Sequence, residues 1–240
     1  MENHETTRRD FLRHGFIGAL GIAGGTGFSL PEREGAQEKL TPEQALARLK
    51  AGNADMLAGR LRKLPENPAR RLEIARKQAP FAVLVGCSDS RVPPELLFGA
   101  GLGELFIVRN AGNTVDTVAI GSIEYGVVVL GAPLIVVLGH ERCGAVEAAL
   151  SVVEKNTVYP GSIGQMIEPI IPAALKAKHA GPKLSGDDLL DAAVRENVRR
   201  TVARLRTSEP SLIEPLRKGT LKIVGARYDL DDGKVDFIME

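Results

Sequence analysis

The spacing of apolar residues changes along the chain, and the changes mark the elements. From Thr41, apolar positions recur at helical spacing: Ala45, Leu46, Leu49 and Met56, with Leu57 beyond. Thr41 can cap this helix, Pro42 takes its first position and Gln44 completes a capping box. Pro68 to Gln78, rich in arginine, predicts a second helix. After that the pattern becomes short continuous apolar runs: Phe81–Val85, Leu105–Val108, Leu134–Leu138 and Leu221–Val224. Such runs, rich in branched residues and separated by helical stretches, predict parallel strands covered on both faces. Thr117–Leu130 predicts the helix between the second and third strands. Asp187–Arg206 predicts another, with Leu189, Leu190, Ala193, Val194, Val198, Val202 and Leu205 on a helical period. Asp232-Gly233 supplies the turn of a hairpin within Ala226–Val235. The expectation is one α/β domain over residues 37–240, a mostly parallel central β-sheet flanked by α-helices with a helical arm at its start.

Residues 1–36 follow a different pattern. Arg8-Arg9 precedes an apolar, glycine-rich stretch, Phe16–Ala23, and then a polar linker, Glu32–Lys39. This resembles a twin-arginine export signal. The apolar stretch is too short and too rich in glycine for a stable spanning helix. It implies export through the twin-arginine pathway to the periplasm or beyond, with either cleavage between Thr26 and Gln37 and no membrane attachment afterwards, or retention of the segment as a membrane anchor. Export of a folded chain suits a metal loaded beforehand.

Composition narrows the picture. The chain has 240 residues, 44% hydrophobic and 25% charged, with a net charge of +1. That balance is ordinary for a globular protein and argues against a nucleic-acid partner, since such domains are usually clearly basic. Two cysteines, Cys87 and Cys143, are too few for a disulfide framework, although one bridge between them stays open.

The candidate chemistry sits at the predicted strand ends. Cys87 lies one glycine past the first strand and His140 one glycine past the third; Cys143 follows where a helix begins. In open α/β sheets the binding crevice lies at the carboxyl ends of strands. Gly86 and Gly139 would let the backbone turn close to the site. Two thiolates and an imidazole suit zinc, and three protein ligands leave a fourth position for chemistry. Asp89 can fill that position or stand aside, and Arg91 could hold it in a bidentate pair. A redox dithiol would put Cys87 and Cys143 to another use, but no C-x-x-C motif is present. A non-catalytic zinc regulator would need neither Asp89 nor Arg91.

These motifs resemble the β-class carbonic anhydrases. The matching text is Gly86-Cys87-Ser88-Asp89-Ser90-Arg91-Val92 and Gly139-His140-Glu141-Arg142-Cys143-Gly144-Ala145-Val146. Residues 103–113, 122–125 and 225–229 are also similar, and the likeness runs from about Leu40 to the C-terminus. The resemblance implies one Zn2+ per subunit on Cys87, His140 and Cys143. It implies that Asp89 either completes the coordination or pairs with Arg91 in an open state. The reaction implied is reversible hydration of carbon dioxide to bicarbonate and a proton by attack of zinc-bound hydroxide. Hydrolysis of carbon disulfide or carbonyl sulfide at the same zinc is the alternative.

One branch of the family binds bicarbonate through Trp, Arg and Tyr. Arg109 and Tyr125 match two of those positions, but Leu84 stands at the Trp position. Gln78, Phe106 and Tyr125 match the plant-like branch, whose site is open, with Val92 and Gly144 also expected at the substrate pocket. Gln78 is expected from a neighbouring subunit. The resemblance further implies a homodimer or homotetramer, with the helix from Thr41 packed across the interface. His179 is read as a solvated loop residue rather than a proton shuttle.

Overall fold

The structure is a computed structural model and describes residues 39–60, 68–179, 184–207 and 210–240. The export segment read in residues 1–36 lies outside them. The four apolar runs become β1 (Ala82–Gly86), β2 (Leu105–Arg109), β3 (Leu134–His140) and β4 (Lys222–Tyr228). They lie parallel in the order β2-β1-β3-β4, and β5 (Val235–Met239) adds antiparallel to β4. The hairpin joining β4 to β5 turns at Gly233, with φ +78°, as the Asp232-Gly233 pair predicts.

The helices are α1 (Pro42–Leu57), α2 (Pro68–Ala75), α3 (Pro94–Leu97), α4 (Thr117–Glu124), α5 (Gly144–Lys155), α6 (Ser162–Ile167), α7 (Ile171–His179), α8 (Gly186–Thr207) and α9 (Pro210–Arg217). None of them is long and apolar enough to cross a membrane.

Strand side chains alternate between two cores. On one face Leu84, Leu134, Val136, Leu138 and Val224 pack with α1 and α3. On the other, Val83, Val85, Ile135, Val137 and Ile223 pack with α4, α8 and α9. With both faces covered, β1 and β3 are buried along their whole length, so their sequences are continuously apolar. A third core caps the carboxyl ends of the strands. It joins Cys87 and Cys143 to α5, α7 and α8 through Val146, Ala174 and Val194.

Helix α1 begins with the predicted capping box of Thr41 and Gln44. Ala45, Leu46 and Leu49 are buried on the chain's own sheet, so this stripe is occupied within the chain. The stripe continues at Asn53, while Leu57 is exposed. The Asn53 amide donates to the carbonyls of Leu97 and Gly233 and accepts from the Val235 N–H, joining α1, α3 and the hairpin. Gly52 is required beside it: a Cβ there would lie 1.9 Å from the Phe98 carbonyl oxygen.

Two helices differ from expectation. Helix α2 stops at Ala75 rather than Gln78. Pro80 disfavours a helical Ala79 and cannot donate, so the chain is released before β1. The predicted helix Thr117–Leu130 is continuous, but its second half, Tyr125–Val129, widens into a π-turn. Gly126 brings that turn close to the sheet, where a Cβ would approach Val83 Cγ2 to 2.6 Å.

Candidate metal centre

β1 and β3 are neighbours, with Gly86 paired to Leu138, so their carboxyl ends open at one place. Cys87 follows β1 directly, His140 is the last residue of β3, and Cys143 caps the N-terminus of α5. One sulfur or nitrogen atom from each lies within 4.8 Å of the others, and all three residues are buried. Gly139 does not make the turn expected of it. It lies within β3 and faces α8, where a Cβ would meet Val198 at 2.6 Å.

His140 shows what the site requires. Its Nδ1 lies 2.9 Å from the Glu141 carbonyl oxygen. A carbonyl only accepts, so Nδ1 carries the hydrogen and Nε2 presents a lone pair. That Nε2 is buried and has no hydrogen-bond partner. Beside it the two sulfurs lie 4.0 Å apart and unbonded. The Cys87 thiol is pulled down to about 4, first by its hydrogen bond with Cys143. Burial opposes this, while His140 and the N–H groups of Gly112 and Asp89 assist. Cys143 is pushed up by its contact with Cys87 and by burial. A buried thiolate sharing a proton with a second thiol, beside an unpartnered imidazole lone pair, is a set that one soft cation would satisfy by displacing that proton. The donor set therefore fits zinc.

The surrounding loops are fixed by contacts the sequence does not announce. The Gly112 N–H donates to Cys87 Sγ at 3.2 Å. Gly112 has φ +66°, and a Cβ there would strike Ile170 Cδ1 at 2.5 Å. The Asn197 amide, from α8, donates to the Gly112 carbonyl at 2.7 Å. Arg109 donates from Nε to the Cys87 carbonyl at 2.8 Å and from Nη2 to the Asp89 carbonyl at 2.6 Å. Arg109 thus holds the ligand loop by its backbone. This contact was hidden in the sequence, where Arg109 suggested an anion site.

Asp89 is held by Arg91. The guanidinium donates from Nε at 3.0 Å and from Nη2 at 2.8 Å, and the Arg91 backbone N–H adds a bond of 2.9 Å. The Arg91 side chain, first among the causes, holds the Asp89 carboxyl down to about 2, against burial. Asp89 Oδ2 stands 3.7 Å from His140 Nε2, beside the ligand cluster.

The expected pocket residues are dispersed within one chain. Phe106 and Tyr125 meet, with ring centroids 6.2 Å apart. Phe106, however, pairs with Val83, four strand residues before Cys87, or about 13 Å along the sheet. Gln78 is exposed ahead of β1, at the opposite end of that strand from Cys87. Val92 is buried in the core that includes α1, and Gly144 is exposed at the start of α5. Leu84 lies wholly in the same core as Val92, so the Trp position carries no argument about an anion pocket here. His179 is exposed at the end of α7, not in a loop. A cleft of about 290 Å³ flanks β2, lined by Phe106, Val108, Asn110, Asp116 and Val118; none of the three ligands lines it.

Comparison with known proteins agrees with this geometry. Residues 82–235 match the family described as Carbonic anhydrase. The chain is 43% identical to a carbonic anhydrase of Mycolicibacterium smegmatis, over 81% of this chain and 92% of that one. It is 40% identical to carbonic anhydrase 2 of Mycobacterium tuberculosis, over 80% and 91%. Among solved structures, the Coccomyxa β-carbonic anhydrase in complex with acetazolamide superposes with a TM-score of 0.66 at 30% identity, covering 81% and 85%. A tetrameric β-carbonic anhydrase of Sordaria macrospora also reaches 0.66, at 26% identity, covering 72% and 87%. The chain belongs to the carbonic anhydrase family, in its β class. It is an enzyme of that family, whose general reaction is zinc-dependent hydration of carbon dioxide.

Proposed function

We propose that this chain reversibly hydrates carbon dioxide to bicarbonate and a proton at one zinc ion held by Cys87, His140 and Cys143. The observation that carries the proposal is the unpartnered Nε2 of His140 facing two thiols, with the Asp89–Arg91 pair beside it. Bound zinc would supply a water acidic enough to ionise at about neutral pH. The chain's residues do the rest. Arg91 keeps Asp89 ionised and turned aside, as in the open state of the family. Asp89 Oδ2 can then accept a hydrogen bond from the reacting water and fix the direction of its free lone pair. Arg109 and Gly112 hold the Cys87 loop so that this geometry persists. The two thiolates cancel the charge of the metal, so hydration should strengthen towards alkaline pH.

Gln78, Phe106 and Tyr125 lie far from the ligands of their own chain, so we infer that a second copy brings them to the pocket. Free apolar surface at Val118, Tyr125, Val128 and Val129 supports a homodimer or homotetramer. Tetramers are described for the Sordaria macrospora enzymes.

Asp89→Ala and Arg91→Ala should each retain zinc and lose turnover by about a hundredfold, within the range removal of a positioned proton-accepting group gives. Near-normal hydration of carbon dioxide by either variant would remove the role given to the pair. The same assay with carbonyl sulfide and carbon disulfide separates the gases.

A further inference from the structure

Arg142 stands between the ligands His140 and Cys143 with φ +48°, a left-handed conformation uncommon for a branched or long side chain. Its side chain is occupied. Nη1 and Nη2 donate to the two carboxylate oxygens of Asp231 at 2.9 and 2.6 Å. Its carbonyl faces the other way and accepts from Arg91 Nη2 at 3.4 Å. The same Nη2 donates to Asp89 Oδ2. A continuous chain of contacts therefore runs from the hairpin between β4 and β5 to the carboxylate beside the metal ligands.

The hairpin end is itself fixed. The Asp231 N–H donates to Asp229 Oδ1, and the other Asp229 oxygen accepts from Arg227. Arg227 is buried and also donates to Asp191 of α8. Glu141, Asp229 and Asp231 lie close enough together to suggest a cation site, but Arg142 and Arg227 already meet their charge.

We propose that Arg142 and Asp231 are positioning residues for the Asp89–Arg91 pair. The ion pair with Asp231 holds Arg142 in its left-handed conformation, which turns the Arg142 carbonyl towards Arg91. That carbonyl gives the Arg91 guanidinium a second acceptor and fixes the height at which it holds Asp89. Without the clamp, Arg91 loses this anchor and Asp89 swings more often towards the fourth position on zinc, where it competes with water and anions. The effect is modest because both partners are on the surface, with Asp231 70% exposed.

The inference rests on the zinc reading above, and its test separates the two. Asp231→Ala, Arg142→Ala and Asp231→Glu are prepared as zinc-loaded proteins. Azide affinity is measured by calorimetry, together with kcat, KM and zinc content. Asp231→Ala and Arg142→Ala should each weaken azide binding and lower kcat by about two- to fivefold, the scale of an exposed ion pair. KM and zinc content should not change, and Asp231→Glu should recover most of both losses. Wild-type azide affinity and kcat in both clamp-breaking variants would overturn the inference. So would losses that track zinc loss alone, since these would mean a merely structural role. A wild-type protein that binds zinc but hydrates no carbon dioxide would overturn the zinc reading first and the inference with it.

Discussion

The imidazole of His140 donates from Nδ1 to a backbone carbonyl and leaves Nε2 buried with nothing to accept from. A buried polar atom without a partner is costly, so this one carries more weight than any exposed charge nearby. Away from the centre, Asp229 offers a test of a single residue. Its carboxyl falls from its ordinary 3.8 to about 2, first because Arg227 donates to it, with burial opposing. A depressed carboxyl stabilises the fold above its unfolded value and ceases to do so as pH falls through the folded one. In urea unfolding, wild type should therefore exceed Asp229→Asn at pH 7, and the gap should close between 3.8 and about 2. A gap independent of pH would refute this. The cluster of Cys87, His140 and Cys143 was legible in the sequence because both cysteines of the chain and one of four histidines fall at or just after predicted strand ends. The work of Arg109 was not legible, because its partners are backbone carbonyls that converge only when β1 and β2 pair.

Among the elements, the strands were the most legible, because burial on both faces writes itself as unbroken branched runs. The ends of helices were less so. Helix α2 yields to Pro80 before its arginine-rich pattern ends, and the π-turn at Tyr125–Val129 leaves no mark in the apolar spacing. Helix α1 shows how an apolar stripe can continue through a polar residue. Asn53 replaces the next apolar position because its amide satisfies three backbone groups at once. Gly52 beside it has no room for a side chain. Gly52→Ala gains about 1 kcal/mol of helix propensity. It must also push α1 away from the Phe98 carbonyl, which lies 1.9 Å from the new Cβ. Overpacking against backbone typically costs about 1–3 kcal/mol and should win. Thermal unfolding should show a lowered midpoint; a raised midpoint would mean that α1 shifts freely.

At the scale of the whole molecule, the sheet separates what the motifs group together. Gln78 and Cys87 stand at opposite ends of β1, which is why the proposed pocket draws on a second copy. No pattern in one chain reports that symmetry directly. We propose, from the Arg8-Arg9 pair and the apolar stretch after it, that the protein is exported through the twin-arginine pathway. Removing Arg8 and Arg9 should leave it in the cytoplasm, as read by cell fractionation, and undiminished export would contradict that assignment. The claim on which everything else depends is the zinc chemistry at the ends of β1 and β3. It is tested most directly by measuring zinc content and carbon dioxide hydration on the same purified protein, before and after chelation. The account predicts one zinc per chain, hydration well above the uncatalysed rate, and loss of both together with recovery on adding zinc back. A protein fully loaded with zinc that leaves the hydration rate at its uncatalysed value would contradict it.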